Sequence, residues 1–150
     1  MIALLQRVSQ ARVVVNQNVI GEIDGGILAF IGVEQNDSAS EVKRLTERVL
    51  SYRLFSDGEG KMNLDVQQSG GALLLVPQFT LAANTNKGNR ASFTSAAPPE
   101  IGERLFKDMV NLAKQSSTRV ATGQFGAHME VSLVNDGPVT FWLQVKPDEK

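Results

Sequence analysis

The amino-acid sequence predicts an α+β fold, a single domain in which a curved, mostly antiparallel sheet or β-barrel-like core is covered by two main helices. Three observations lead to this prediction. The runs ILAFIGV at 27–33 and ALLLV at 72–76 are almost wholly apolar, which is typical of strands covered on both faces. Several other segments alternate apolar and polar residues, as half-buried strands do. Two longer segments carry apolar residues at helical spacing.

The N-terminal third is predicted to be a meander of strands, at residues 2–8, 11–16, 19–23 and 27–33. Asn16-Gln17-Asn18 and Asp24-Gly25-Gly26 supply the turn residues between the later strands. A further strand, at 72–76, precedes a long loop that is rich in Asn, Ser and Thr.

Two helices are predicted from their first turns and their apolar faces. Ser38 and Glu41 match a capping box, in which the two residues satisfy backbone groups at the start of a helix. The apolar face that follows consists of Val42, Leu45, Val49 and Tyr52. Pro98-Pro99-Glu100 opens the second helix, because proline suits a first helical turn. Its apolar face consists of Ile101, Leu105, Met109 and Leu112.

The C-terminal segment contains two alternating runs, TGQFGAHMEVSLV and PVTFWLQV, which meet at Asn135-Asp136-Gly137-Pro138. An Asp-Gly pair would suffice to reverse the chain there. Pro138 supplies no N–H to a strand ladder and restrains the glycine before it. Either this segment is a stiff turn, or its Gly-Pro peptide is itself used.

Composition excludes several functional classes. The 150 residues include no cysteine, so disulfides, thiol nucleophiles and thiolate metal sites are excluded. A net charge of −1 gives no general sign of nucleic-acid binding. No apolar run approaches the roughly 20 residues that a membrane-spanning helix needs, and the first residues lack a signal-peptide profile. The sequence therefore predicts a cytoplasmic protein without a membrane partner, forming one domain over residues 1–150.

Few side chains could carry acid–base or metal chemistry. His128 is the only histidine, and it is interpreted as a half-exposed structural residue on a strand face shared with Glu130 and Ser132. With no second histidine and no cysteine, the usual zinc ligands are missing, and no metal or cofactor is predicted. No P-loop, G-x-S-x-G or G-x-G-x-x-G pattern follows a strand. An enzyme with this sequence should act mainly by positioning and by backbone hydrogen bonds.

The buried strand at 72–76 becomes polar at PQFTL, residues 77–81. Gln78 and Thr80 place a carboxamide and a hydroxyl at alternate positions, with Phe79 between them. One interpretation is an ordinary strand end. The other is the floor of a pocket, where backbone N–H groups meet a carbonyl oxygen that becomes negative during hydrolysis.

PQFTL and NDGPVT, at 135–140, resemble the two signature motifs of D-aminoacyl-tRNA deacylases, SQFTL and N-x-GPVT. The likeness extends from Met1 to Val145 and includes the segments MIALLQRVSQARV and FSDGEGKMNLDVQQSGG. One departure is visible, because the serine that usually begins SQFTL is Pro77 here. The serine hydroxyl and the backbone N–H at this position are both lost.

The resemblance implies an enzyme that hydrolyses the ester joining a D-amino acid to the terminal adenosine of tRNA. It also implies activity on glycine mischarged on alanine tRNA. Members of the family are homodimers of a barrel-like fold with the active site at the dimer interface. In them a cis Gly-Pro peptide projects from one subunit into the pocket of the other and rejects L-aminoacyl groups. By matching motifs, this selector would be Gly137 and Pro138.

The same resemblance implies a catalytic pocket formed by Gln78, Phe79 and Thr80. Phe125 of GQFGA would stack on the terminal adenine. Beside the pocket motif, Lys87 and Arg90 in TNKGNRAS are expected to contact acceptor-end phosphates. The expected partners are therefore D-aminoacyl-tRNA and a second copy of the chain, with no DNA and no cofactor.

Two mechanisms and two rival functions remain open from the sequence. Thr80 could act as the nucleophile, although the motif supplies no base to activate it. The preferred alternative uses the 2′-hydroxyl of the terminal ribose, which makes RNA a chemical requirement. The rival functions are a non-catalytic tRNA- or RNA-binding barrel, which Pro77 favours, and an esterase or amidase for small molecules.

Overall fold

The computed structural model describes residues 1–148, so the last two positions of the predicted domain lie outside the described residues. The strands of this part of the chain are Ile2–Val15 (β1), Asn18–Ile23 (β2), Gly26–Gly32 (β3), Phe55–Ser56 (β4), Met62–Leu64 (β5), Ala72–Pro77 (β6), Val120–Thr122 (β7) and Glu130–Gln144 (β8). The helices are Ala39–Ser51 (α1), Val66–Ser69 (α2) and Pro99–Lys114 (α3). A 3-10 turn spans Phe79–Ala82.

Six of these strands form one mixed, strongly curved sheet. Its order is β2-β1-β3-β6-β7, and β8 pairs with β1 off this path. The three pairings of β1 are antiparallel, whereas β3 with β6 and β6 with β7 are parallel. Strand β2 approaches β7 so closely that a Cβ on Gly21 would lie 2.5 Å from the carbonyl oxygen of Thr122. The sheet is thus a nearly closed barrel, as predicted.

The central strand β3 is covered on both faces. Ile27, Ala29 and Ile31 belong to the core that the sheet forms with α1 and α3. Leu28 belongs to a second core inside the barrel. The almost continuous apolar run of this strand therefore follows from its two buried faces, and that prediction is confirmed.

Strand β1 changes the face that it buries along its length. Leu5 packs towards the helices while Val13 packs inside the barrel. The two residues are an even number of positions apart, so they would share one face in a regular strand. The register with β8 shifts between Val8 and Gln10, which inserts one residue into β1. The sequence predicted two separate strands, 2–8 and 11–16, on either side of this shift. The structure has one continuous strand with a bulge.

Strand β8 bulges at Asn135–Pro138, so the stiff turn that was one of the two interpretations of this segment does not form. Gln6 pairs with Thr140 and Val8 pairs with Asn135, so β1 advances two residues while β8 advances five. The three extra residues form a bulge. Both flanks of the bulge pair with the same strand, and this extended pairing overrides the local turn preference of Asp-Gly.

Ion pairs fix the first residue to the segment after β3, and a hydrogen bond ties it to the segment after β8. The α-ammonium of Met1 is buried and donates to Glu34 Oε2 at 2.8 Å, Asp37 Oδ1 at 3.0 Å and the carbonyl of Val145 at 2.6 Å. Burial raises the pKa of the Asp37 carboxyl, although hydrogen bonds from the Glu34 N–H and from the ammonium act in the opposite direction.

The two predicted long helices are confirmed, and α1 has the predicted start. The backbone N–H and the hydroxyl of Ser38 both donate to Glu41 Oε2 at 2.7 Å. Neither these helices nor any other within residues 1–148 has the length and apolar character needed to cross a membrane.

Candidate active site

A mostly apolar cavity of about 470 Å³ opens at the C-terminal ends of β3 and β6, between the sheet and α3. The residues that form its apolar wall include Ile31, Val76, Phe106, Phe125, Met129 and Val131. Crevices at the carboxyl ends of parallel strands are common ligand sites, because the chain leaves the sheet there and exposes backbone groups.

The PQFTL segment forms one rim of this cavity. Gln78 and Phe79 line it, whereas Thr80 lies just outside the lining. The strand ends just before these residues, because β6 ends at Pro77 and the 3-10 turn begins at Phe79. The carboxamide of Gln78 donates a hydrogen bond to the hydroxyl of Thr80.

The turn leaves two backbone donors available beside the cavity. Its first internal hydrogen bond runs from the N–H of Leu81 to the carbonyl of Gln78, at 3.3 Å. The N–H groups of Phe79 and Thr80 precede this bond, so the turn itself supplies no acceptor for them. These two donors are the ones expected from the sequence to face a developing oxyanion.

Pro77 is accommodated because of its place in the sheet. The N–H of Ala72 donates to the turn before β3, and the N–H of Gln78 donates to β3 itself. The N–H of Leu73 donates to the opposite side, to the residue before β7. Position 77 therefore faces the β7 side, where β7 has already ended at Thr122. The missing N–H costs no ladder hydrogen bond between β6 and β7, and the ring adds apolar surface to the cavity.

Phe125 lies in the cavity wall, on the loop between β7 and β8. Its ring packs against α3, where a Cβ on Gly102 would lie 3.3 Å from Cζ of Phe125. The loop is held by a hydrogen bond from the N–H of Gln124 to Sδ of Met129, at 3.4 Å. Phe125 is thus fixed as a flat apolar surface beside Gln78 and Phe79.

His128 also lines the cavity, and its predicted setting is wrong in one respect. Strand β8 begins at Glu130, so His128 lies in the preceding loop and not on a strand face with Glu130 and Ser132. Its side chain is exposed, and it is the one titratable group among the cavity-lining residues that the structure describes.

Gly137 and Pro138 are exposed at the tip of the β8 bulge and do not line the cavity. The peptide bond between them is cis, and Gly137 has φ of 135°. Arg7 braces the bulge from outside, with Nε donating to the carbonyl of Asp136 at 3.1 Å and Nη1 to that of Leu54 at 2.9 Å. A single chain therefore does not bring this pair together with Gln78–Thr80.

Lys87 and Arg90 are exposed on a loop that follows the 3-10 turn. Asn84 and Ser92 close this loop with two backbone hydrogen bonds, at 2.7 and 2.9 Å. Close to the loop, the ring centroids of Phe79 and Phe93 lie 5.2 Å apart. This contact joins the segment after the loop to the rim of the cavity. The two cations are therefore presented on the rim side that carries Phe79.

Sequence reasoning missed part of the wall. Gly102 and Phe106 lie in a helix whose apolar spacing gives no sign of a cavity, and Met129 lies in the alternating run TGQFGAHMEVSLV, which predicts only a strand. Within residues 1–148, no group of three or more His, Asp or Glu side chains is placed to hold a metal ion.

Comparison with known proteins decides the family. A family model described as D-Tyr-tRNA(Tyr) deacylase matches residues 4–144. The chain belongs to this deacylase family. It is 62% identical over 147 residues to a D-aminoacyl-tRNA deacylase of Thioalkalivibrio sulfidiphilus (strain HL-EbGR7), covering 98% of this chain and 99% of the relative. It is 57% identical over 145 residues to a D-aminoacyl-tRNA deacylase of Klebsiella pneumoniae (strain 342), covering 97% of this chain and 100% of the relative.

Solved structures agree with the deacylase fold. A protein described as c-Myc DNA Unwinding Element Binding Protein superposes with a TM-score of 0.93 at 33% identity, over 98% of this chain and 100% of that one. A probable eukaryotic D-amino acid tRNA deacylase superposes with a TM-score of 0.80 at 18% identity, over 96% and 98% of the two chains, and shows the fold alone. Family membership confirms the predicted enzyme class, a hydrolase that acts on ester bonds.

Proposed function

We propose that the protein hydrolyses the ester bond of D-aminoacyl-tRNA and releases the free D-amino acid and tRNA. The observation that carries the proposal is the meeting of the family motif at Gln78–Thr80 with an apolar cavity of about 470 Å³. Removal of D-residues before they reach the ribosome is the role that such an activity serves, and it requires a cytoplasmic enzyme.

The terminal adenosine of the tRNA occupies the apolar cavity. Its base stacks on Phe125, because the ring is held against α3 and a base has a flat face to offer. Lys87 and Arg90 contact the acceptor-end phosphates from the adjacent loop, which contributes affinity and not discrimination between amino acids.

Chiral selection requires a second copy of the chain. Gly137 and Pro138 are exposed on a bulge away from their own cavity, which supports their action in the cavity of a partner subunit. Exposed aromatic surface supports such a homodimer, because Phe79, Phe93 and Trp142 are 57%, 47% and 55% exposed. Trp142 pairs across the sheet with Leu4, so apolar surface extends onto the sheet itself.

The selector acts by excluding the wrong configuration. Backbone carbonyls of Gly137 and Pro138 accept from the α-ammonium of the substrate and leave no room for a side chain of L configuration. A D-side chain points away from them. Glycine has no side chain to exclude, so glycine mischarged on alanine tRNA is also a substrate.

Hydrolysis proceeds through attack of water on the ester carbonyl, assisted by the 2′-hydroxyl of the terminal ribose. The N–H groups of Phe79 and Thr80 stabilise the oxyanion that develops on the carbonyl oxygen. When the ester bond breaks, water supplies the carboxylate oxygen of the released amino acid and the proton of the ribose hydroxyl. Thr80 is not required as a nucleophile, because its hydroxyl contacts the Gln78 carboxamide and not a base.

A matched set of substrates tests this function against its rivals. The enzyme should release D-tyrosine from D-Tyr-tRNA far faster than from free D-tyrosine ethyl ester, and a 2′-deoxy terminal adenosine should abolish release. Binding without release would support the non-catalytic RNA-binding barrel. Equal rates on the tRNA ester and on the free ester would support a small-molecule esterase.

A further inference from the structure

The β8 bulge contains a second set of contacts that the proposed function does not use. Between the pairs Gln6–Thr140 and Val8–Asn135, the backbone of β8 leaves the ladder. A bulge leaves backbone groups unpaired, and such groups need other partners. In this bulge the partner of the Val139 N–H is the side chain of Asn135, whose Oδ1 accepts at 3.1 Å.

The Asn135 carboxamide is held in one orientation by a second contact. Its Nδ2 donates to Oγ1 of Thr140 at 3.0 Å, and Nε2 of Gln6 donates to the same oxygen at 3.4 Å. Turning the carboxamide over would place Nδ2 against the Val139 N–H, two donors facing each other, so the bond to Val139 would be lost. The Asn135 side chain therefore links the two ends of the bulge and fixes the distance between them.

Gly137 and Pro138 have no side-chain hydrogen-bonding group of their own, so their position depends on what holds the residues on either side. We propose that Asn135 is a positioning residue of the selector, acting beside Arg7, with Thr140 orienting its carboxamide. A steric filter that separates two configurations at one carbon needs its atoms placed within a fraction of an ångström. Loss of the Asn135 contacts should therefore loosen the position of Gly137 and Pro138, so that L-aminoacyl groups are rejected less well.

This inference rests on the proposed function, and its test measures kcat/KM of the purified full-length protein on D-Tyr-tRNA and on L-Tyr-tRNA. Asn135→Ala should lower the D-to-L ratio about tenfold, mainly through gained hydrolysis of the L-substrate. Asn135→Asp should retain most of the ratio, because a carboxylate oxygen can still accept from the Val139 N–H. Thr140→Val should lower the ratio by about threefold.

The control is Asn18→Ala, which removes another asparagine side chain that bonds to nearby backbone, with Nδ2 donating to the carbonyl of Asn16 at 3.2 Å. It should leave the ratio unchanged. A folded Asn135→Ala protein with the wild-type ratio would overturn the inference. If Asn135→Ala does not fold, an unchanged ratio in folded Thr140→Val would overturn it equally. A wild-type protein without D-specific activity would instead contradict the proposed function.

Discussion

The carboxamide of Gln78 donates a hydrogen bond to the hydroxyl of Thr80, so two of the three predicted catalytic-pocket residues contact each other. This contact occupies the hydroxyl oxygen as an acceptor. A nucleophilic hydroxyl needs the opposite arrangement, in which a base accepts its proton. The pair is better suited to holding the backbone of the 3-10 turn in place.

Thr80→Ala should therefore retain activity. We expect a loss well below a thousandfold in the single-turnover rate of D-Tyr-tRNA hydrolysis, because the backbone N–H at position 80 remains. Thr85→Ala, an exposed position in the following loop, is the matched control. A loss above about a thousandfold, roughly 4 kcal/mol of barrier, would favour the nucleophile mechanism.

Gly137→Ala should disturb the bulge and its function together. A Cβ at this position would lie 2.7 Å from Cγ2 of Val139 and 3.0 Å from its nitrogen, and φ of 135° is unfavourable for alanine. We expect the free energy of unfolding to fall by about 1–3 kcal/mol, measured by urea denaturation. The D-to-L ratio should fall as well.

Gly58→Ala is the control for that substitution. Apart from its chain neighbours, no atom of the described residues lies within 4 Å of the position that a Cβ on Gly58 would take. It should change neither stability nor selection by a measurable amount. Unchanged stability in Gly137→Ala would show that Val139 moves aside without cost, which contradicts a rigid selector.

Replacing Lys87 and Arg90 by alanine should weaken tRNA binding and make it less dependent on salt. Two lost phosphate contacts lower the slope of log K against log[salt] by roughly 1.4–1.8. The rate of hydrolysis at saturating substrate should not change. Lys61→Ala with Arg53→Ala removes the same charge from other exposed positions and should leave the slope unaltered. Equal effects of the two pairs would indicate general attraction instead of contacts beside the site.

The start of α1 predicts a pH-dependent contribution to stability. Burial alone would raise the pKa of Glu41, but hydrogen bonds from the hydroxyl and the N–H of Ser38 lower it. The folded pKa is therefore below the unfolded one, so the stabilisation is present above the unfolded pKa and is lost as pH falls through the folded pKa.

Glu41→Gln keeps an oxygen that can accept from Ser38 and removes the charge. We expect it to cost about 0.5 kcal/mol of unfolding free energy at pH 7 and less at pH 3. Glu47→Gln, on an exposed position of the same helix, is the control. If the difference in unfolding free energy between wild type and Glu41→Gln were equal at both pH values, this prediction would be contradicted.

Local patterns predicted the elements that depend on local physics. The helices at 39–51 and 99–114 follow from apolar periodicity and first-turn residues, and β3 follows from its two buried faces. Physical reasoning alone could not decide whether Gln78 and Thr80 form an ordinary strand end or a pocket floor. The family motif indicated a pocket, and the structure places Gln78 in its lining and Thr80 just outside it.

The remaining differences arise from contacts between distant segments. The Asp-Gly pair at 136–137 predicts a reversal, yet pairing of both flanks with β1 keeps β8 in one direction. The cavity wall joins α3 to the loop before β8, and no spacing within either segment encodes that contact. Cooperation between subunits is likewise a property of two surfaces, so it stays a prediction from the resemblance.

Release of tyrosine from D-Tyr-tRNA and from L-Tyr-tRNA, measured side by side with the full-length protein, tests the proposed chiral selectivity most directly. We predict that the D-ester is hydrolysed to completion while the L-ester decays only at its rate without enzyme. Release from neither ester, or equal release from both, would contradict the proposal.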